Sequence, residues 1–229
     1  MTDKGQQAVA TVTSALELTA REAMIDSQLK PCGVIDPAVV AAFHAVPREL
    51  FVPTSRRRLA YVDAAQPLAA GRQMMAPLSL GYLLQAARPR AGDRVLLVGA
   101  ATGYSAALLA RLAGHVVALE CEPELVAAAR SNLMQIDGVE IVEGPLEAGW
   151  PAGAPYTLIL IDGAIEEVAR PLVAQLAEGG RLVAIVHGSD GVSRAAIGRK
   201  QAGQLQLVPF AEAPAAVLPP FRKAPAFRF

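Results

Sequence analysis

Only two cysteines, Cys32 and Cys121, occur in the 229 residues. They lie far apart without metal-ligand or redox spacing, which excludes a disulfide framework, fits a reducing compartment, and leaves both expected as buried small hydrophobes. There is no excess of either charge, since Lys plus Arg and Asp plus Glu number 21 each. A chain without a broad basic field is not built to hold nucleic acid or an anionic membrane. Long apolar runs are missing too: none reaches membrane-spanning length, and the opening Met1-Thr2-Asp3-Lys4-Gly5-Gln6-Gln7 has no apolar targeting core. The three histidines, His44, His115 and His187, are isolated, and no metal-ligand spacing connects them, so no metal is expected. The expectation is a cytoplasmic protein with neither membrane nor nucleic-acid partner, long enough to bury one real core.

What is present changes character along the chain. From Gln6 to Leu29, Val9, Val12, Leu16, Ala20, Ala23 and Met24 recur at helical spacing and predict an amphipathic helix. Lys30-Pro31-Cys32-Gly33 ends it. Asp36 as N-cap and Pro37 at the first helical position start a second helix running through Val46. Between Thr54 and Pro77, prolines, Gly71 and the Arg56-Arg57-Arg58 run leave little periodicity, so irregular backbone is expected there, with the arginines on a solvated face or one of them meeting a substrate carboxylate. Residues 1–91 read as a helical N-terminal cap and substrate loop, and 92–229 as the core, in one structural unit.

From Arg94 onward short apolar strands alternate with helices, the mark of a doubly wound, mostly parallel sheet covered on both faces. Strands are expected at Arg94–Val98, Val116–Leu119, Val139–Val142, Thr157–Ile161 and Arg181–Val186, and helices near Tyr104–Leu112, Pro123–Leu133 and Glu167–Leu176. Two further runs, Ser193–Lys200 and Gln204–Phe210, flank a turn around Gly203 and predict an antiparallel hairpin at the sheet edge. The proline-rich tail from Pro214 is expected to be extended.

The most informative stretch is Arg94-Val95-Leu96-Leu97-Val98-Gly99-Ala100-Ala101-Thr102-Gly103-Tyr104-Ser105, followed by His115-Val116-Val117-Ala118-Leu119-Glu120. It reads as strand, glycine turn, helix, second strand and terminal acid. Glycines let backbone bend tightly and approach a ligand, while an acid ending the next strand can accept hydrogen bonds from a ribose diol. The spacing of a dinucleotide fingerprint is absent, which argues against hydride transfer. S-adenosylmethionine (SAM) carries no pyrophosphate and is the better match. The alternative is an ordinary strand-to-helix turn.

At this point the chain resembles the protein-L-isoaspartate O-methyltransferases, over about Gln28 to Gly188. The resemblance rests on Val46-Pro47-Arg48-Glu49-Leu50-Phe51-Val52-Pro53, Ala60-Tyr61-Val62-Asp63, Gly99 to Ala110, Gly149-Trp150-Pro151 with Ala154-Pro155-Tyr156, and Gln175-Leu176 with Gly179-Gly180-Arg181-Leu182-Val183. It implies a Rossmann-like SAM-dependent methyltransferase fold. The implied activity is methyl esterification of the abnormal carboxylate of isoaspartyl residues in a damaged protein or peptide. It further implies that Val46 to Pro53 packs the cap onto the core; from the residues alone, Arg48 and Glu49 pair locally. Trp150 reads as a partly buried loop anchor.

Departures from the family pattern define the candidates. The loop G-Q-T-I-S-x-P is represented by Gly71-Arg72-Gln73-Met74-Met75-Ala76-Pro77, placing Gln73 at the threonine and Met75 at the catalytic serine; Gln73, Met74 and Met75 are the substrate-loop candidates, the methionines equally readable as core filler. Cofactor-binding candidates are Gly99, Ala101, Thr102, Gly103, Glu120, Gly144 and Asp162. Leu97 stands where the family has an acid, Ala101 where it has the middle glycine, and Gly144-Pro145-Leu146 where it has G-D-G. Asp162 replaces a neutral residue and reads either as a polar contact to cofactor or substrate or as a helix N-cap. His187, ending the fifth strand, lies nearest the edge where such sheets bind ligands. Two alternatives to the isoaspartyl enzyme follow: a non-catalytic binding or regulatory module, and a methyltransferase with an unknown, more apolar acceptor.

Overall fold

The computed structural model describes residues 16–223. Helix α1 covers residues 16–24 and widens into a π turn over Ile25–Leu29 before Gly33 ends it in left-handed conformation; residues 6–15 of the expected helix lie outside the described residues. Its buried positions are Met24, Ile25 and Leu29, whereas Leu16 is 66% exposed and Ala23 is exposed. Of the expected apolar face, Met24 is buried and Ala20 packs against the core, while Leu16 and Ala23 face outward. Helix α2 (Pro37–Ala45) begins as the sequence predicts: the Asp36 carboxylate accepts from Ala38 N at 2.9 Å and Val39 N at 3.2 Å.

The segment read as irregular contains a small antiparallel pair, β1 (Gln66–Pro67) with β2 (Gln73–Met74), which presents residues 68–72 as a loop. Helix α3 (Pro77–Ala87) follows. The sequence gives no helical period for it, because Leu80, Gly81, Leu83, Leu84 and Ala87 are buried and Pro77 and Ser79 with them. An element enclosed on nearly every side shows no polar face.

The core strands are β3 (Arg94–Val98), β4 (His115–Glu120), β5 (Val139–Glu143), β6 (Tyr156–Ile165), β7 (Leu176–His187), β8 (Ser193–Arg199) and β9 (Val208–Glu212). Between them lie α4 (Tyr104–Ala110), α5 (Pro123–Asn132) and α6 (Arg170–Gln175). They form one seven-stranded mixed sheet, ordered β5-β4-β3-β6-β7-β8-β9. The first five strands are parallel, and β8 and β9 return antiparallel as the expected edge hairpin. Neighbouring residues alternate between two cores. Val95, Leu97, Val116, Ala118, Leu158 and Leu160 face the layer with Phe43, Leu80 and Leu108, while Leu96, Val98, Val117, Leu119, Ile159 and Ile161 face Leu172, Leu218 and Phe221. Burial on both faces explains why these strands read as continuous apolar runs.

Four boundaries differ from the sequence reading by more than two residues. The expected helix Glu167–Leu176 shrinks to α6, β7 begins at Leu176 rather than Arg181, β6 continues past Ile161 to Ile165, and the second hairpin strand begins at Val208 rather than Gln204. Between Leu160 and Ala164 the β6–β7 register shifts, so Asp162 and Gly163 form a bulge inside a strand. Asp162 is therefore not a helix N-cap.

Strand order reverses between β3 and β6, and crevices beyond the carboxyl ends of strands at such a switch point are where open α/β sheets take ligands. Here β3 pairs as far as Val98 with Ile161 and then turns away at Gly99, leaving the end of β6 exposed on that side. Residues 214–221 fill this edge. Ala164 N donates to Ala216 O and Leu218 N to Ala164 O, both at 2.9 Å, and Glu166 N donates to Phe221 O at 3.1 Å. The expected extended tail is thus a strap docked across the switch point.

Candidate active site

The glycine turn is tied to the end of β4 by its own backbone. Gly99 N and Ala100 N both donate to Leu119 O, at 2.8 and 3.0 Å. Gly99 and Gly103 have φ of 84° and 98°, and Ala101 takes a φ of 50°, an unfavourable left-handed conformation for a residue with a Cβ. This strained turn points Ala101 N at the Glu120 carboxylate, 2.7 Å away. Thr102 faces elsewhere: its hydroxyl donates to Phe51 O at 2.6 Å, holding the segment after α2 against the core. Gly103 is required for packing, since a Cβ there would lie 2.7 Å from Leu133. Gly144 sits beside Leu119 and Trp150, and its N–H donates to Glu120 O at 3.1 Å.

Glu120 has no exposed surface. Besides Ala101 N, its carboxylate accepts from Cys121 N at 2.8 Å and Glu122 N at 3.2 Å, and from the Arg72 guanidinium at 2.6 Å. Arg72 is 7% exposed and also donates to Gly99 O at 3.2 Å. Arg72 is the residue that sequence reasoning missed. Its one signal is an arginine where the family loop carries glutamine. Beside this pair the Cys121 thiol is pushed up to about 11 by burial and the neighbouring Glu120. It is half-buried and Cys32 is exposed, so neither is the buried hydrophobe expected.

Asp162 lies across the turn from Glu120. Its Oδ2 accepts from the Ser105 hydroxyl and its Oδ1 has no partner. Burial pushes its carboxyl up to about 6, partly offset by Ser105, Arg72 and Arg48. A cavity of about 720 Å³ opens beside it, lined by the loop 70–73, Met75, Cys121, His187 and the strap. Of the seven cofactor candidates only Asp162 borders this space, and of the loop candidates Gln73 and Met75 border it while Met74 is packed in the core. His187 shares a hydrogen bond with the Ser193 hydroxyl at 2.9 Å.

Arg48 and Glu49 do not pair with each other. Arg48 is fully buried, donates to Ala60 O and Met75 O at 2.7 and 2.6 Å, and lies 4.8 Å over the Tyr104 ring. Glu49 instead binds Arg21, at 3.3 Å, and the Tyr61 hydroxyl. Arg48 reaches the core through Tyr104, whereas Glu49 ties together elements within the N-terminal part. Trp150 is a half-buried loop anchor as read, its backbone N–H donating to the Gln175 side-chain amide oxygen at 2.8 Å.

In this arrangement the chain's own side chains occupy the position at the glycine turn that an adenosyl ligand would take. The acid that would meet a ribose already accepts from four N–H donors, three of them on Oε1, and a Cβ on Gly99 would find Arg72 at 3.0 Å and Leu218 at 3.5 Å. The open space a bare glycine leaves for a ligand is taken by the chain itself. Among the described residues no helix is long and apolar enough to cross a membrane, and no cluster of His, Cys, Asp and Glu could hold a metal.

Residues 19–211 match the model of the protein-L-isoaspartate(D-aspartate) O-methyltransferase family. The protein-L-isoaspartate O-methyltransferase of Methanoculleus marisnigri is 40% identical over 168 residues, 72% of this chain and 76% of the relative. That of Methanoregula boonei is 41% identical over 170 residues, 73% and 78%. Among solved structures, a protein-L-isoaspartate O-methyltransferase superposes with a TM-score of 0.74 at 25% identity, over 86% of this chain and 65% of that one. A Plasmodium falciparum beta-aspartate methyltransferase in complex with S-adenosyl-L-homocysteine superposes at 0.71 with 21% identity, over 88% and 97%. The architecture is the α/β fold of SAM-dependent methyltransferases, and the chain belongs to the protein-L-isoaspartate(D-aspartate) O-methyltransferase family.

Proposed function

We propose that the protein is a SAM-dependent O-methyltransferase of the isoaspartyl type, acting on a carboxylate of damaged proteins or peptides in the cytoplasm, where two separate free cysteines are stable. The observation that carries this reading is Glu120: a buried acid at the end of β4, facing the glycine turn in a chain of this family. When bound, SAM would supply the electrophilic methyl group. An acceptor carboxylate is ionised at neutral pH and needs positioning rather than a general base, so the loss of hydroxyls at Gln73 and Met75 does not remove the chemistry. What the chain provides is a cavity of about 720 Å³ between the loop 70–73, Met75 and the strap, in which an acceptor can be positioned.

A second reading, a non-catalytic binding module that keeps the fold, is favoured by the Arg72–Glu120 contact and by Met75, which lends the cavity an apolar wall. Methylation of an isoaspartyl peptide separates the two. Sustained turnover by the wild type supports the enzyme; binding of S-adenosylhomocysteine without turnover supports the module or a different acceptor.

A further inference from the structure

The residues that close the cleft share a pattern: each makes contacts suited to an occupant of the site, and each borders open space. Arg72 brings N–H donors to the one carboxylate placed to accept hydrogen bonds from a ligand, and its second nitrogen reaches Gly99 O at 3.2 Å. Leu218 is buried against the two glycines that face the crevice. A Cβ on Gly163 would lie 2.6 Å from its Cγ, and one on Gly99 would lie 3.5 Å from its Cδ1. The strap is attached through backbone bonds from Ala216, Leu218 and Phe221 and by the Ser79 hydroxyl on Pro214 O at 3.0 Å. Pro219 and Pro220 between its buried side chains are exposed. Arg72 and residues 215–220 also form walls of the 720 Å³ cavity, so room exists beside them.

We propose that Arg72 and the strap 214–221 are an internal occupant of the adenosyl site, which an S-adenosyl ligand displaces on binding. This rests on the reading of the cleft given under the proposed function. The closed arrangement is then a resting state, and apparent affinity is lowered by the fraction of molecules that are closed. Glu120 keeps three backbone donors when Arg72 leaves, so its charge remains supported in the open state.

The test is calorimetric titration of S-adenosylhomocysteine into the wild type, Leu218→Ala and Arg72→Ala, with amide hydrogen exchange of the wild type with and without ligand. Binding at least about tenfold tighter in Leu218→Ala, equivalent to about 1.4 kcal/mol, is expected, together with faster exchange at Ala164 and Leu218 when ligand is added. Equal affinity in all three proteins, or wild-type binding with unchanged strap exchange, overturns the proposal. The exchange measurement needs no variant and decides the matter if Leu218→Ala does not fold. No binding by any of the three at millimolar ligand overturns it as well, and locates the failure in the cofactor reading.

Discussion

Replacing Asp162 by Asn changes one charge in a place where the structure makes that charge unfavourable. Asp162 is 6% exposed, has one oxygen on Ser105 and the other without a partner, and its carboxyl is pushed up to about 6. Desolvation outweighs the stabilisation offered by Ser105, Arg72 and Arg48, and Glu120 adds repulsion. The folded state therefore holds the proton more tightly than the unfolded chain. For an acid of raised pKa, stability is greatest below its ordinary value and declines as pH rises through the window from 3.8 to about 6. A shift of that size corresponds to ~3 kcal/mol. Asn has no such titration, so the stability difference between Asp162→Asn and the wild type should move in favour of the variant by ~2 kcal/mol between pH 4 and pH 7, the rest of the shift lying below pH 4. The variant's buried amide, if unpaired, offsets about 1–3 kcal/mol at every pH, which changes the level and not the slope. Urea unfolding at pH 4, 5, 6 and 7 measures both. A difference that stays flat with pH refutes the assignment of a destabilising carboxyl to this position.

Glu120→Ala should lower stability by about 3–5 kcal/mol because it strands the buried Arg72 charge, and Arg72→Ala added to it should cost less than the two single changes together, as a double-mutant cycle will show. Asp93 gives the opposite pH behaviour to Asp162. Against desolvation, bonds from Arg181 (2.5 and 3.1 Å), Thr157 and Arg90 N hold its carboxyl below the ordinary 3.8, so its contribution is present above 3.8 and is lost as pH falls below it. Asp93→Asn should flatten the acid limb of the stability profile in thermal melts. Gly163→Ala places a Cβ 2.6 Å from Leu218 Cγ and should destabilise by about 1–3 kcal/mol, with faster amide exchange confined to the strap.

The strands of the parallel sheet were legible because burial on both faces leaves uninterrupted apolar runs, and Asp36 and Pro37 marked α2 through local chemistry. The glycine turn and Glu120 were legible for the same reason: their relation is fixed by one strand, one turn and the next strand. What escaped depends on distant pairing. Arg72 meets Glu120 from 48 positions away, and nothing local distinguishes a buried guanidinium from a solvated one. Helix α3 has no polar face to set its period. The strap reads as a proline-rich tail, and its docking depends on the bulge at Asp162 and Gly163, a matter of register between β6 and β7 that composition does not encode. Arg48 and Glu49, adjacent in sequence, look like partners but bind separate elements because each finds a better one elsewhere.

The most direct test is a crystal structure of the protein grown with saturating S-adenosylhomocysteine. The ligand is predicted at the carboxyl ends of β3, β4 and β6, in contact with Glu120, with the Arg72–Glu120 bond broken and Leu218 withdrawn from Gly99. A ligand seated elsewhere, or a cleft in which Arg72 still grips Glu120 at full saturation, would contradict the account.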